Sequence, residues 1–205
     1  ADMTWKEAEA RFKAGAVVVV PIGAASKEHG PHLPLDTDYR TATELGRRVA
    51  ARLPVVVAPV IGFGFYPAFT GYAGSQHLTA ATFQALVREL LGNLIDHGVT
   101  RIAILNTGVS TEKPLREVLS TIAGARIAQI DMRLLGRDAD RLLQQQGGGH
   151  ADERETSVLL AIAPEAVRMD RAPGQAQGDA LSPEGITGNP SLATRAKGEA
   201  ILDAT

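Results

Sequence analysis

The sequence predicts a doubly wound α/β fold: one domain with a mostly parallel sheet and helices on both faces. Three observations carry this. Short β-branched runs without polar alternation, "AVVVV", "VVVA" and "RIAIL", read as strands buried on both sides. Stretches with apolar residues at helical spacing separate those runs, which is the β-α-β alternation of a parallel sheet. The length of 205 residues suits one sizeable core.

In order, "TWKEAEARFK" (4–13) predicts a short helix with Thr4 as N-cap and Glu7 completing a capping box, ended by Gly15. "AVVVVPIG" (16–23) is the first strand. Residues 39–52 set Ala42, Leu45 and Val49 on one helical face, and "PVVVAPV" (54–60) supplies the second strand. Residues 61–74 are rich in glycine and aromatics without a period, hence a long connection of the functional kind. Phe83, Leu86, Val87, Leu90, Leu91, Leu94 and Ile95 form the clearest apolar stripe, with His97 and Gly98 at the helix C-terminus. "RIAILN" (101–106), a helix over 112–123 and "ARIAQID" (125–131) continue the alternation. "LLGRDADRLLQQQ" (134–146) predicts one more helix, and 153–163 another, up to Pro164. Residues 172–194 predict an extended surface excursion, and 191–204 a last helix.

Composition removes several classes of partner. Lys and Arg number 21 against 23 Asp and Glu, without runs of either sign, so there is no footprint for nucleic acid or an anionic membrane. No apolar stretch approaches the ~20 residues of a membrane-spanning helix. With no cysteine, imidazole and carboxylate are the strong metal ligands left to the chain. The chain opens on Ala1 with its first methionine at position 3. A cytoplasmic location is the simpler expectation, and a periplasmic one after removal of a signal peptide stays open.

Chemistry concentrates at strand ends. "SKEHGPHLPLDTD" (26–38) follows the first strand and holds two of the five histidines beside Glu28, Asp36 and Asp38, pinned by Pro31 and Pro34. Such a set suits zinc, manganese or iron; read by itself, it equally allows Asp36 or Asp38 as a helix cap with the histidines at the surface. "NTGVST" (106–111) leaves the third strand, so topology can bring the two together. "GGGHADERETS" (147–157) offers His150 and Glu155 after a glycine run that admits close backbone approach.

"VVVVPIGAASKEHGPHLPLDTD" resembles the signature of the creatininase (creatinine amidohydrolase) family, and the likeness extends through "DHGVTRIAILN" and "GGGHADERETSVLLAIAPE" to "GNPSLATRAKGEAIL". It implies a single creatininase-like domain over 1–205 with Rossmann-like layering. It also implies a metal-dependent hydrolase that cleaves a C–N bond of a small amide, cyclic amides included, through metal-activated water. His29 matches a metal-binding histidine and Asp38 the aspartate that bridges two ions. The family's glutamate ligand falls on Lys27, so Glu28 is the available substitute. Gly108 and Ser110 stand where two further ligands belong, which leaves one or two ions open, with His77 or Glu112 as candidate replacements. His150 and Glu155 take the catalytic positions. His32, His77 and Asn106 fall to orienting or substrate-side roles, and the loop 63–72 to covering the substrate. Family members assemble as homo-oligomers, so one is expected here. Two rivals remain: a catalytically reduced relative that binds a ligand or partner without turnover, and a mononuclear formamide-type hydrolase.

Overall fold

The computed structural model describes residues 3–176 and 180–205. Among them, strands β1 (Val18–Ile22), β2 (Val56–Val57), β3 (Arg101–Asn106) and β4 (Arg126–Asp131) form one parallel sheet in the order β2-β1-β3-β4. Every residue of β1 is buried, because helices cover both faces. Val18, Val20 and Ile22 face Phe83, Val87 and Leu91 of α3 (Ala80–Asp96), with Leu115 and Val118 of α4 (Glu112–Leu119). Val19 points the other way, into a cluster with Leu45 of α2 (Thr37–Arg52), Val158 of α5 (Glu153–Ile162) and Ile201 and Leu202 of α6 (Arg195–Ala204). The period of two along β1 thus sorts the helices into two layers. Helix α1 (Trp5–Lys13) buries none of its residues and relies on the predicted Thr4/Glu7 capping box.

Strand order fixes the place of the site. The chain runs from β1 outward to β2, then crosses back to β3 on the other side of β1, a switch of direction that opens a crevice at the carboxyl ends of β1 and β3. Ile22 is in register with Asn106, so the segments after 22 and 106 leave the sheet side by side.

Four elements differ from the sequence expectations. The second strand shrinks to Val56–Val57, with a separate bridge from Ile61 to Ile22, because Pro54 and Pro59 have no N–H to give a ladder. The helix expected over 134–146 is instead two 3-10 turns, Met132–Leu134 and Arg137–Leu142, separated by Gly136 in the left-handed region at φ 65°. The excursion 172–194 is not all surface. Residues 177–179 lie outside the described residues, but Ile186 is buried in a cluster with Leu33, Ala151 and Leu159. The last helix starts at Arg195 behind Thr194 as N-cap, and Pro190–Leu192 is a separate 3-10 turn.

Candidate metal centre

Asp38 anchors the site. It sits in the first turn of α2, buried, where that turn presses on the end of β1 so closely that a Cβ on Gly23 would collide with the Asp38 carbonyl. The loop between them is stiffened by Thr37, whose hydroxyl donates to the Pro34 carbonyl at 2.7 Å, and by the Lys27 N–H on Leu35 O at 3.0 Å. Asp36 heads the helix without a side-chain cap bond and pairs with Arg40 at 2.8 Å.

Two side chains address the Asp38 carboxylate, one at each oxygen. His29 is fully buried, with Nδ1 2.9 Å from the Lys27 carbonyl. A carbonyl only accepts, so Nδ1 carries the hydrogen and Nε2 is turned to Asp38 Oδ1 at 3.1 Å. On the other oxygen, Lys27 Nζ lies 2.6 Å from Oδ2, with both side chains under 10% exposed. Oδ2 has no well-angled hydrogen bond, so this is an ion pair held by charge more than by direction. The Lys27 ammonium also lies 5.0 Å over the Phe69 ring. Burial opposes the charge of both groups, yet Asp38 and Glu155 raise Lys27 above the ordinary lysine range, and Lys27 and His29 hold Asp38 well below the usual carboxylate range.

The second cluster arrives from the glycine run. Gly147, Gly148 and Gly149 all have positive φ, and Ala151 follows at φ 46°, a conformation that costs a non-glycine residue about 1–3 kcal/mol. The corner is held because Ala151 N–H donates to Glu155 Oε2 at 2.6 Å, and Asp152 caps α5 by accepting from Glu155 N–H at 3.0 Å. It delivers His150 to His29, ring centroids 5.0 Å apart, and packs it on Phe69 at 4.4 Å. His150 Nε2 is 3.0 Å from Glu28 Oε2, while Nδ1 is 3.8 Å from Glu155 Oε2. Glu28 is held there by the Gly30 N–H and by Gly185, whose φ of 76° and missing Cβ leave room for its carboxylate. Ligand atoms of His29, His150 and Glu155 lie within 4.8 Å of one another.

The structure therefore brings Glu28, His29, Asp38 and His150 into one buried cluster, with the half-buried Glu155 at its edge. His32 stands behind it, with Nε2 2.8 Å from the Thr156 hydroxyl and a buried Nδ1 without a partner; burial pushes its imidazole down to about 4. Asn106 braces the 106–111 turn, donating to Asp131 Oδ1 at 2.9 Å and Gly108 O at 2.7 Å and accepting from Thr111. His77 stays exposed, 6.3 Å from the Tyr66 ring. Glu112 is taken up by Arg133. Sequence reasoning missed Thr156 and the pairing of Lys27 with Asp38, and had Phe69 only as part of the loop 63–72. The signal for the last was present, a lysine at a position where the resemblance puts a ligand.

Asp38 separates two cavities. One, of about 20 Å³ and room for roughly one water, is lined by Lys27, Asn106, Gly108, Ser110 and Thr111. The other, about 140 Å³, is lined by Thr41, Thr107, Arg133, Arg154 and Glu155. The donors fit a divalent ion: imidazole and carboxylate oxygens converge, and His29 Nε2 faces a carboxylate oxygen across 3.1 Å, an arrangement that needs a proton or a cation between them.

An α/β fold with a histidine–carboxylate cluster at the switch point is an arrangement able to hold a divalent ion, and comparison specifies the family. The family model described as creatinine amidohydrolase matches residues 1–205. The mycofactocin precursor peptide peptidase of Mycobacterium ulcerans (strain Agy99) is 32% identical over 210 residues, covering 90% of this chain and 79% of that protein. The creatinine amidohydrolase of Pseudomonas putida is 28% identical, over 83% of this chain and 74% of that one. A crystal structure of creatinine amidohydrolase aligns with a TM-score of 0.87 at 25% identity, covering 99% of this chain and 91% of that chain. A creatininase described with manganese aligns at 0.84 and 25% identity, over 99% of this chain and 92% of that one. The chain belongs to the creatininase family, whose members are metal-dependent amidohydrolases. Among the described residues, no helix is long and apolar enough to cross a membrane.

Proposed function

We propose that this chain hydrolyses a C–N bond of a small amide at a centre built for one divalent ion, held by His29, Asp38 and Glu155. The observation that carries the reading is the convergence of His29, His150 and Glu155 within 4.8 Å beside a buried Asp38. A zinc or manganese ion held by these residues would supply Lewis-acid chemistry, polarising the amide carbonyl and making water a better nucleophile. His150 moves the proton. With Nε2 tied to Glu28, its Nδ1 is the atom left to accept from the attacking water and return the proton to the leaving nitrogen. This gives Glu28 a positioning role in place of the ligand role expected from the sequence. Its adjacency to His29 sends the carboxylate to the opposite side, onto His150. Substrate enters through the 140 Å³ cavity, and Tyr66 and Phe69, both buried, wall off the other side of the site. The relatives named for creatinine and for a precursor peptide both act on substrates with amide C–N bonds, which makes a small cyclic amide and a peptide end the two classes to try.

The test is turnover of the zinc- or manganese-loaded protein on creatinine and a panel of short peptides, followed by amine release. His150→Gln is expected to keep its metal and lose about 100-fold or more in kcat. His29→Ala is expected to lose the metal. Loss of metal from His150→Gln would instead make His150 a ligand. A second reading, binding without turnover, has one observation in its favour, the ammonium of Lys27 on Asp38. Absence of both bound metal and turnover would select it. A homo-oligomer and a mononuclear formamide-type reaction remain part of the proposal, to be read by light scattering and by formate release.

A further inference from the structure

One group at the site has no role in that scheme. Lys27 places an ammonium 2.6 Å from one oxygen of Asp38 while His29 Nε2 is 3.1 Å from the other, so the two oxygens of one carboxylate each carry a separate partner. The lysine lines the small cavity with Gly108 and Ser110, which supply neither imidazole nor carboxylate to a metal. That cavity, at about 20 Å³, admits little more than a water. Phe69 lies against both Lys27 and His150, so the ammonium is fixed to the same aromatic wall as the other side of the site.

We propose that the Lys27 ammonium is a built-in cation that occupies the second cation position on Asp38, so that the centre accepts a metal ion on the His29 oxygen alone. The charge balance follows from burial. An isolated carboxylate at this depth is unstable, and a cation must stand on it; on the Oδ2 side the chain itself supplies that cation. On the Oδ1 side, the neighbouring donors His29 and Glu155 are open to an ion from solution. Lys27 is therefore a specificity-determining residue for metal number. It is not a candidate nucleophile, since an ammonium paired with a buried carboxylate has no lone pair to offer.

The inference takes the metal reading above for the Oδ1 side, and its test separates the two. Purified protein is stripped with chelator, dialysed against zinc and counted by elemental analysis, with zinc titration calorimetry in parallel. One ion per chain is expected for the unaltered protein, and two for Lys27→Glu, which removes the ammonium and adds a carboxylate facing Asp38. Lys27→Met should lower the melting temperature of the metal-free protein, and zinc should restore it by a larger shift than in the unaltered chain. Lys27→Arg keeps the cation and should keep the count at one. A Lys27→Glu protein that melts cooperatively yet binds no more zinc than the unaltered chain overturns the inference, as does an unaltered chain that binds two ions. If the unaltered chain binds none, the hydrolase reading fails. Lys27 is then judged by whether Lys27→Glu still gains an ion. Should Lys27→Glu fail to fold, the Lys27→Met calorimetry decides alone: no added zinc affinity over the unaltered chain overturns the inference.

Discussion

The two oxygens of Asp38 face differently built halves of the site. On the Oδ2 side the chain closes its own accounts: Lys27 supplies the charge, Asn106 and Thr111 bond each other, and a cavity of about 20 Å³ is what remains. On the Oδ1 side two imidazoles and Glu155 crowd together on a strained corner beside a cavity of about 140 Å³. The contrast teaches that the two oxygens of one carboxylate can meet different surroundings, one a resident ammonium and the other a group of imidazole and carboxylate donors.

The comparison breaks most sharply at its shared member. Asp38→Ala leaves Lys27 buried without the carboxylate it is paired to, with Glu155 and Glu28 as its remaining counter-charges, and removing one partner of such a pair costs about 3–5 kcal/mol. Urea denaturation of the metal-free protein should show this as a large fall in midpoint, and zinc should not restore it. A fall of under 1 kcal/mol would mean that the pair is not a unit.

Next comes the support of His150. Gly185→Ala puts a Cβ against the Glu28 carboxylate and asks a side chain to adopt φ 76°, a strain of about 1–2 kcal/mol. Stability should fall by about that much, and kcat should drop while the zinc count is unchanged, since Glu28 positions His150 and the ion is held by others. Unchanged kcat would remove Glu28 from the scheme.

A third measurement sharpens the role of His32 behind the ligand side. Burial holds its imidazole neutral down to about 4, while the unfolded chain protonates it near 6.5. Between those values the unfolded state binds the extra proton, so stability falls as pH drops from about 6.5 towards about 4. His29, Glu28, His150 and Glu155 all face this ring, so the reading is a difference: His32→Gln should flatten part of the slope of denaturation midpoint against pH. A slope identical to the unaltered protein would show that other groups carry it.

The smallest effect lies outside the comparison and checks it. Thr4→Ala removes the hydroxyl that caps α1, worth about 1 kcal/mol locally, and should leave metal count and kcat untouched because α1 buries nothing against the site.

Much of this was legible in advance. β3 spans Arg101–Asn106 as the run "RIAILN" predicts, and α1 carries the predicted box, because buried-strand composition and capping are local chemistry. The stretch 134–146 misled because its apolar spacing fits a helix while Gly136 takes a left-handed turn that only the surrounding chain fixes. Ile186 misled for a different reason: widely spaced apolar residues in a stretch rich in glycine, proline and polar groups give no periodic signal, yet this one fills a cluster with Leu33 and Leu159.

By itself, then, the sequence determined the alternation of strands and helices, the family likeness, and the residue types at the strand ends, since these depend on neighbours along the chain. Tertiary structure alone decided who faces whom. Lys27 meets Asp38 because a loop turns back between β1 and α2, and Glu28 meets His150 across 122 positions of sequence. Thr156 finds His32 across 124. Such partners are selected by burial, where an unpaired charge or lone pair is costly, and no spacing along the chain records that cost.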